Sequence, residues 1–533
     1  MNSDEQRVRA LLEVFGLRMD PAELAAIVAD YPVLRYQADE IHRTATDGLA
    51  RDTSKPKVFR AVGSADPAAS VTGVTIEAAA AALRAGTSSA RELVTAAFAR
   101  IDQLNDRFGA YVSTFRQSAI AAADQADREL ARGVDRGPLH GIPLNIKDVI
   151  ATVEGPTRAN SRVPPPHWRG DRDATVVTRL RAAGAIVLGK TTTNEFALGP
   201  NDPASGFPMP RNAWSDRHYA GGSSSGAAIA VASGMSLGAI ATDTTGSIRH
   251  PAALNGVTGL KVSYGRVPIT GAVPLAASLD TVGPIARSAR DCALLLQVMA
   301  GVDPSDPASS VQPVPNYLAA LDGSVRGLRI GLPERYFYDL GNVAEPVARA
   351  VRAAVDELRS AGAVVKEVAL PNADMARIAA TLVVMSEAFA YHRDTVVARW
   401  DEYGVNLRGL LARAALFTAA DYIQAQRIAA AFRAEVAAVM RECDVLAMPM
   451  MPTGARLLDE TDPTMMDRYS SASFNSQWNL AGLPACAIPV GFDHAGMPVS
   501  MQLVGRPFDE ATVLRVADAY QRGTEFHLMV PDD

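Results

Sequence analysis

The chain has few cysteines and no long apolar run. Its 533 residues contain three cysteines, Cys292, Cys443 and Cys486, which lie far apart and in no CxxC or Cys/His spacing. This excludes a disulfide framework and argues against a structural zinc site. The least polar stretch, residues 226–241, is shorter than the roughly 20 apolar residues that cross a bilayer. Because the N-terminus is acidic where a secretory signal would be basic, we expect a cytoplasmic protein that binds no membrane.

An excess of positive charge is also lacking. Lys and Arg total 52 against 58 Asp and Glu, which gives a formal net charge of −6. Proteins that bind nucleic acid by counterion release carry basic patches, so we expect no nucleic-acid partner. A composition of 48% hydrophobic and 21% charged residues is typical of a globular protein.

Two regions of different character follow each other along the chain. Residues 1–47 show helical periodicity only, and Asp20-Pro21-Ala22-Glu23 has the pattern of a helix start. Residues 48–66 are polar and without periodicity, which is typical of a linker. We therefore predict an N-terminal helical extension and linker over residues 1–66 and one large domain over residues 67–533.

Short strands alternate with helix-length segments in the large domain. Helices are predicted from Ile76 to Arg84 and from the capping box Ser89-Ala90-Arg91-Glu92 onwards. The predicted strands are residues 185–188, 328–331, 364–368, 445–448, 485–490 and 499–504. This alternation predicts an α/β fold, with a large mixed, mostly parallel, twisted sheet sandwiched between helices.

Lysine is rare, with six in the chain, and one of them lies in an apolar run. Lys147 lies in residues 141–150, a segment that we interpret as a buried strand. A buried ammonium is costly, and the cost is relieved by a lowered pKa or by pairing with a carboxylate. Lys147 could therefore act as a base, or it could simply pair with Asp148.

A second feature is the loop Gly221-Gly222-Ser223-Ser224-Ser225-Gly226, which runs into a helix of small residues. Glycines allow close approach of the backbone, and serines provide hydroxyls and helix caps. The loop lacks the GxxxxGK[ST] pattern of a nucleotide phosphate loop. Taken alone, it is more often a plain turn than a site.

A third feature is the polar turn of residues 242–251. Small residues just before Ser247 leave backbone N–H groups free to point at one spot, as an oxyanion hole requires. Ser247 then has the setting of a nucleophile. The alternative is an ordinary turn held by a salt bridge between Arg249 and Asp243.

Together these features resemble the amidase signature family of Ser-cisSer-Lys amide hydrolases. Lys147, Ser223 and Ser247 occur in that order, 76 and 24 positions apart. The resemblance extends over about residues 70–533, through further segments at 173–175, 180–191, 194–196, 264–267, 278–284, 482–485 and 502–505.

The resemblance implies roles for individual residues. Ser247 would attack the amide carbonyl, and Ser223, which follows a cis peptide bond in the family, would pass its proton to a neutral Lys147. The backbone N–H groups implied for the oxyanion hole are those of Thr244, Thr245, Gly246 and Ser247. The residues implied to support the loops are Gly221, Gly222, Ser224, Asp243 and Arg249. The resemblance implies no cofactor and no metal ion.

Thr245 departs from the family pattern, which usually has glycine at this position. A β-branched residue does not readily adopt a positive φ. Either the backbone at Thr245 lies in a region open to any residue, or the oxyanion hole is rearranged.

The resemblance favours an amidase that forms an acyl-enzyme and releases ammonia or an amine. The alternatives are a carbamate or urethane hydrolase, the glutamine-hydrolysing subunit of a tRNA amidotransferase, and an inactive binding protein. The helical extension argues mildly against the amidotransferase subunit. The expected partner is a small amide or carbamate substrate, and a homodimer stays open.

Substrate choice is expected to come from residues 334–480 and their neighbours. The candidate residues for an apolar pocket are Phe196, Met385, Phe389, Phe474 and Trp478. They suggest a hydrophobic acyl or aryl group, although burial in an ordinary core is the default for such side chains. Residues 473–479 are polar enough to recognise an amide.

Overall fold

The computed structural model describes residues 3–43, 71–165, 171–459 and 473–531. The helices are α1 (Ser3–Val14), α2 (Pro21–Arg43), α3 (Ile76–Ala85), α4 (Ala90–Phe108), α5 (Arg116–Ala131), α6 (Thr175–Ala182), α7 (Ser225–Ala232), α8 (Arg249–Leu254), α9 (Ala289–Met299), α10 (Glu334–Phe337), α11 (Glu345–Ser360), α12 (Ala373–Ala398), α13 (Val405–Ala414), α14 (Ala419–Val439), α15 (Ser476–Leu480) and α16 (Glu510–Arg522). The strands are β1 (Tyr111–Thr114), β2 (Pro143–Lys147), β3 (Ile186–Thr191), β4 (Arg211–Asn212), β5 (Ser215–Tyr219), β6 (Gly238–Asp243), β7 (Thr258–Lys261), β8 (Thr281–Ala286), β9 (Arg329–Pro333), β10 (Val364–Val368), β11 (Val445–Pro449), β12 (Ala485–Phe492) and β13 (Pro498–Gly505).

Eleven of the described strands form one sheet, in the order β1-β3-β2-β6-β8-β7-β12-β13-β11-β9-β10. The α/β class and the large mixed sheet between helices are confirmed. The parallel pairs lie in two groups, β3-β2-β6 and β11-β9-β10. The strands between these groups pair antiparallel, so the sheet is less parallel than the alternation of strands and helices predicts.

Most of the predicted elements are found close to their predicted bounds. β10 covers the same residues as its prediction, and Ser89 and Glu92 form the predicted capping box at the start of α4. β7 has no clear signal in the sequence, because it has only four residues and one is a glycine.

Helix α2 packs against α12, α13 and α14, and α1 packs against α2. Asp20 caps α2 as predicted, since its carboxylate accepts the N–H groups of Ala22 and Glu23. Charged pairs join α2 to the helices beneath it, with Glu23 at 2.7 Å from Arg408 and Asp30 at 2.8 Å from Arg413. The predicted linker and the predicted boundary at residues 66 and 67 lie outside the described residues, so the division of the chain stays a prediction.

The parallel pair β2 and β6 brings polar side chains together at one edge of the sheet. The two strands run side by side, with Ile146 opposite Ile240. Because parallel strands end at the same edge, Lys147 at the end of β2 lies beside Thr242 and Asp243 at the end of β6. No helix among the described residues is long and apolar enough to span a membrane.

Candidate active site

Lys147 is fully buried between two hydroxyl groups. Its Nζ lies 2.8 Å from Ser223 Oγ and 2.8 Å from Thr242 Oγ1. Burial lowers the pKa of Lys147 to about 7, although the carboxylates of Asp243 and Asp280 oppose this shift. A substantial fraction of the amine is therefore uncharged at neutral pH and can accept a proton.

Two further lysines are buried to the same extent but have different partners. Lys190 Nζ lies 3.3 Å from a carboxylate oxygen of Asp148, and Lys261 Nζ donates to the carbonyl oxygens of Val262 and Leu483. Asp148 therefore pairs with Lys190, and among the described residues it makes no salt bridge to Lys147, contrary to the alternative drawn from the sequence. Of these three buried amines, Lys147 is the one that contacts a serine hydroxyl.

The glycine and serine loop presents Ser223 to Lys147. The peptide bond between Gly222 and Ser223 is cis. Gly221 has a φ of 75°, and a Cβ on it would lie 2.8 Å from Pro251. A Cβ on Gly222 would lie 2.6 Å from Asn194 Oδ1, so both glycines are required by close approach.

Hydrogen bonds fix this loop to the segment that carries Ser247. The Ser224 N–H donates to the carbonyl oxygen of Ser247 at 3.1 Å. Ser224 Oγ donates to the carbonyl oxygen of Thr242 at 3.2 Å. Ser247 itself is almost entirely buried. The two loops are thus joined next to both serines.

A buried ion pair supports the turn before Ser247. The Asp243 carboxylate lies 3.0 Å from Arg249 Nε, and both side chains are fully buried. Burial alone would raise the pKa of Asp243, but the Arg249 guanidinium holds it well below its usual range. Asn479 adds a contact from α15, because its Nδ2 donates to Asp243 Oδ1 at 2.9 Å. The salt bridge foreseen as an alternative thus exists, and it positions the turn.

The N–H groups of this turn divide into two sets. The Gly246 N–H donates to Asp243 Oδ1 at 2.8 Å, and its place in the oxyanion hole stays a prediction. The carboxylate at the end of β6 already satisfies that donor. The N–H groups of Thr244, Thr245 and Ser247 make no hydrogen bond within the described part of the chain.

The departure at Thr245 has a simple structural consequence. Thr245 is not among the described non-glycine residues with a positive φ, whereas its neighbour Gly246 has a φ of 122°. The backbone at Thr245 therefore lies in a region open to any residue, which was the first of the two alternatives, and a threonine fits there without strain.

The five residues proposed for the substrate pocket lie in the core. Phe196, Met385, Phe389, Phe474 and Trp478 are all buried. Phe389 packs edge-on against Phe15, which directly follows α1, with ring centroids 5.2 Å apart. Trp478 stacks on Phe337 at 5.8 Å. Large apolar side chains are usually buried in a protein core, so the role of these five residues in substrate binding stays a prediction.

Sequence reasoning did not assign roles to three polar residues near the site. Thr242 contacts Lys147, Asn479 contacts Asp243, and the Asp280 carboxylate accepts a hydrogen bond from the Thr244 hydroxyl. Asp280 lies in a segment that resembles the family and Thr242 in the polar turn, but nothing in their spacing indicates a contact. No group of three or more His, Cys, Asp or Glu side chains that could hold a metal ion occurs among the described residues.

Comparison with known proteins shows the family of this chain. The family model described as Amidase matches residues 92–514. The chain belongs to this amidase family. The amidase signature resemblance drawn from the sequence is confirmed, and so is the fold that it implies.

Amidase relatives with different names resemble this chain. It is 40% identical to a protein of Roseiflexus sp. (strain RS-1) named as a glutamyl-tRNA(Gln) amidotransferase subunit, over 85% of this chain and 96% of that protein. The structure of peptide amidase from Stenotrophomonas maltophilia matches with a TM-score of 0.73 and 32% identity, over 85% of this chain and 97% of that one. The structure of the glutamyl-tRNA(Gln) amidotransferase subunit from Thermotoga maritima matches with a TM-score of 0.71 and 29% identity, over 86% and 97%.

Proposed function

We propose that the chain hydrolyses a carboxamide to a carboxylic acid and ammonia or an amine, through an acyl-enzyme on Ser247. The observation that carries this proposal is the contact of 2.8 Å between Lys147 Nζ and Ser223 Oγ. The amine is fully buried and its pKa is lowered to about 7. A serine hydroxyl needs a base to become a nucleophile at neutral pH, and this amine provides one.

The proposed reaction has the following steps. Ser247 Oγ attacks the amide carbonyl while its proton passes to Ser223 and the proton of Ser223 passes to Lys147. The free N–H groups of Thr244, Thr245 and Ser247 stabilise the oxyanion. When the tetrahedral intermediate collapses, the proton returns through Ser223 to the leaving amine. Water then hydrolyses the acyl-enzyme by the same route.

A second candidate substrate is glutamine, with the chain acting as the ammonia-releasing subunit of a tRNA amidotransferase. The observation that favours it is the 40% identity to relatives named as that subunit. In that case the partners would include other protein subunits. The match covers 96–98% of these relatives but 85–86% of this chain, which therefore contains a portion without a counterpart in them.

A turnover screen tests the proposal and separates the candidates. The substrates are primary aliphatic amides, anilides, carbamates and free glutamine. We expect hydrolysis of at least one amide, and Lys147→Ala and Ser247→Ala are each expected to abolish it. Ser223→Ala should reduce it severely with some residual activity. Lys366→Ala serves as the matched control, because Lys366 lies in β10 and is partly exposed.

Full activity of Ser247→Ala or Lys147→Ala with correctly folded protein would overturn the assignment of that residue. Hydrolysis of glutamine alone, among all the substrates, would favour the amidotransferase reading. Hydrolysis of carbamates without amides would replace the amidase proposal by the carbamate hydrolase.

A further inference from the structure

A small cavity lies beside Thr242, the residue whose hydroxyl contacts Lys147. Its volume is about 40 Å³. Its polar wall consists of Thr242, Thr244, Asp280 and Thr281, and the remaining lining is mainly apolar. A cavity needs about 10–15 Å³ to accept a water molecule, so this space is large enough for about two. Its polar groups offer the partners that such waters need.

Asp280 is a buried carboxylate in this wall. It accepts hydrogen bonds from the Thr244 hydroxyl and from the N–H groups of Leu275, at 2.9 Å, and Ala276, at 3.2 Å. These donors are uncharged, and Asp280 makes no salt bridge with any described residue. A buried carboxylate without a direct counter-ion is costly, which calls for an explanation.

Thr242 connects the cavity to the lysine. Its hydroxyl oxygen lies 2.8 Å from Lys147 Nζ. The same side chain also lines the cavity. Lys147, Thr242, the cavity and Asp280 therefore follow one another in space.

We propose that Asp280 is a positioning residue for the reaction: acting through Thr242 and the cavity between them, it balances the positive charge that Lys147 gains when it takes the proton of the nucleophile. This inference rests on the proposed function. Ser247 gives its proton to Ser223, which gives its own proton to Lys147 Nζ. The relay then runs in reverse to the leaving group, and Asp280 exchanges no proton. The same carboxylate also accepts a hydrogen bond from the Thr244 hydroxyl, and so it holds the start of the turn before Ser247.

The other charged groups near Lys147 and Asp280 leave Asp280 free to balance the charge of Lys147. Asp243 also acts on Lys147, but Arg249 already neutralises it. Glu387 of α12 faces Asp280 and accepts hydrogen bonds from Ser278 and Tyr422.

Burial raises the pKa of Asp280 to about 6, and the Glu387 charge acts in the same direction. Asp280 is therefore largely ionised at pH 7 and above, where Lys147 titrates. The Tyr264 phenol, whose pKa is raised by burial and by Asp280 among other acids, stays neutral in this range.

The test measures how fast a fluorophosphonate probe labels Ser247 as a function of pH, because labelling needs the activated serine but no known substrate. In Asp280→Asn we expect the acid limb of the profile to move to lower pH by about one unit, since a nearby anion no longer favours the ammonium form. We expect the plateau rate to fall by about three- to tenfold, because the base is weaker.

Asp291→Asn is the matched control. Asp291 is equally buried, its pKa is also raised to about 6 by burial, and it lies on α9, where it does not act on Lys147. Its replacement should leave the position of the acid limb unchanged. The measured quantity is the pH at the midpoint of the acid limb. This midpoint does not depend on the fraction of protein that is folded.

A second pair of variants tests the connection through Thr242. Thr242→Val removes the hydroxyl and keeps the shape, and we expect it to lower the plateau labelling rate by about tenfold or more. Thr242→Ser keeps the hydroxyl and should restore most of the rate.

The inference and the proposed function fail in different ways. No labelling of the wild type at any pH would refute the proposed function. Normal labelling, lost in Ser247→Ala, together with an unmoved acid limb in Asp280→Asn would refute the inference alone. An equal shift in Asp291→Asn, or no effect of Thr242→Val, would refute it as well.

Discussion

At the scale of single residues, the proposed function depends on the contacts of one amine. Lys147, Lys190 and Lys261 are all buried, and burial lowers the pKa of each. A low pKa alone therefore does not mark a base in this protein. The contact of Lys147 with the Ser223 hydroxyl is what separates it from the other two.

The pH dependence of hydrolysis tests this residue. The pKa of Lys147 is lowered to about 7, so the active neutral amine increases as the pH rises through 7. We expect the rate of the chemical step to rise with a midpoint near that value and then to level off. Lys147→Arg, which keeps the charge permanently, should be inactive at every pH. A flat profile from pH 5 to 9 would contradict a lysine base.

Thr245 and Gly246 are adjacent but should respond oppositely to substitution. Thr245→Gly keeps the N–H group, so we expect kcat/KM to stay within roughly threefold of the wild type. Gly246→Ala places a Cβ 2.8 Å from Asn475 at a residue with a φ of 122°, and we expect kcat/KM to fall at least about a hundredfold. Steady-state kinetics of both variants decide this. A tolerated Gly246→Ala would show that the turn is not fixed.

At the scale of elements, β6, α8 and α15 meet at one buried cluster. Arg249 of α8 donates to Asp243, to Asn479 Oδ1 and to the carbonyl oxygen of Asn475. The turn that carries Ser247 is therefore held by hydrogen bonds that involve both α8 and α15.

Breaking this cluster should cost stability as well as activity. Arg249→Met leaves the buried Asp243 carboxylate without its cation, and we expect the free energy of unfolding to fall by about 3–5 kcal/mol. Because Arg249 lowers the pKa of Asp243 in the folded protein, the stabilisation is present at neutral pH. It is lost as the pH falls below the ordinary Asp value and towards the depressed one. Urea unfolding of both proteins at pH 7 measures the difference, and equal stabilities would contradict the role of the pair.

The sequence predicts elements and motifs better than contacts. Strands with a long apolar pattern, such as β12 and β13, are predicted correctly, whereas β7 is too short to be recognised. The order of Lys147, Ser223 and Ser247 indicates the site because the family motif ties each residue to its loop. The contact of Thr242 with Lys147 depends on the parallel pairing of β2 and β6, which no local pattern encodes.

At the scale of the whole molecule, the N-terminal helices cover the face formed by α12, α13 and α14. The contacts combine apolar packing, such as Phe15 on Phe389, with charged pairs such as Asp30 and Arg413. The N-terminal helices are therefore folded against these later helices of the chain.

Exchanging the charges of one pair tests this docking. We expect Arg413→Glu to lower the free energy of unfolding by about 1–3 kcal/mol, because Asp30 and Arg413 are both largely buried. Adding Asp30→Arg should restore part of the loss, which urea unfolding of the single and double variants would show. No recovery in the double variant would mean that the pair does not couple the two parts.

The central claim is that Ser247 is the nucleophile, and mass spectrometry of the fluorophosphonate adduct tests it most directly. The account predicts one adduct per chain, located on the peptide that contains Ser247 and absent from Ser247→Ala. An adduct on another residue, or labelling that survives Ser247→Ala, would contradict it.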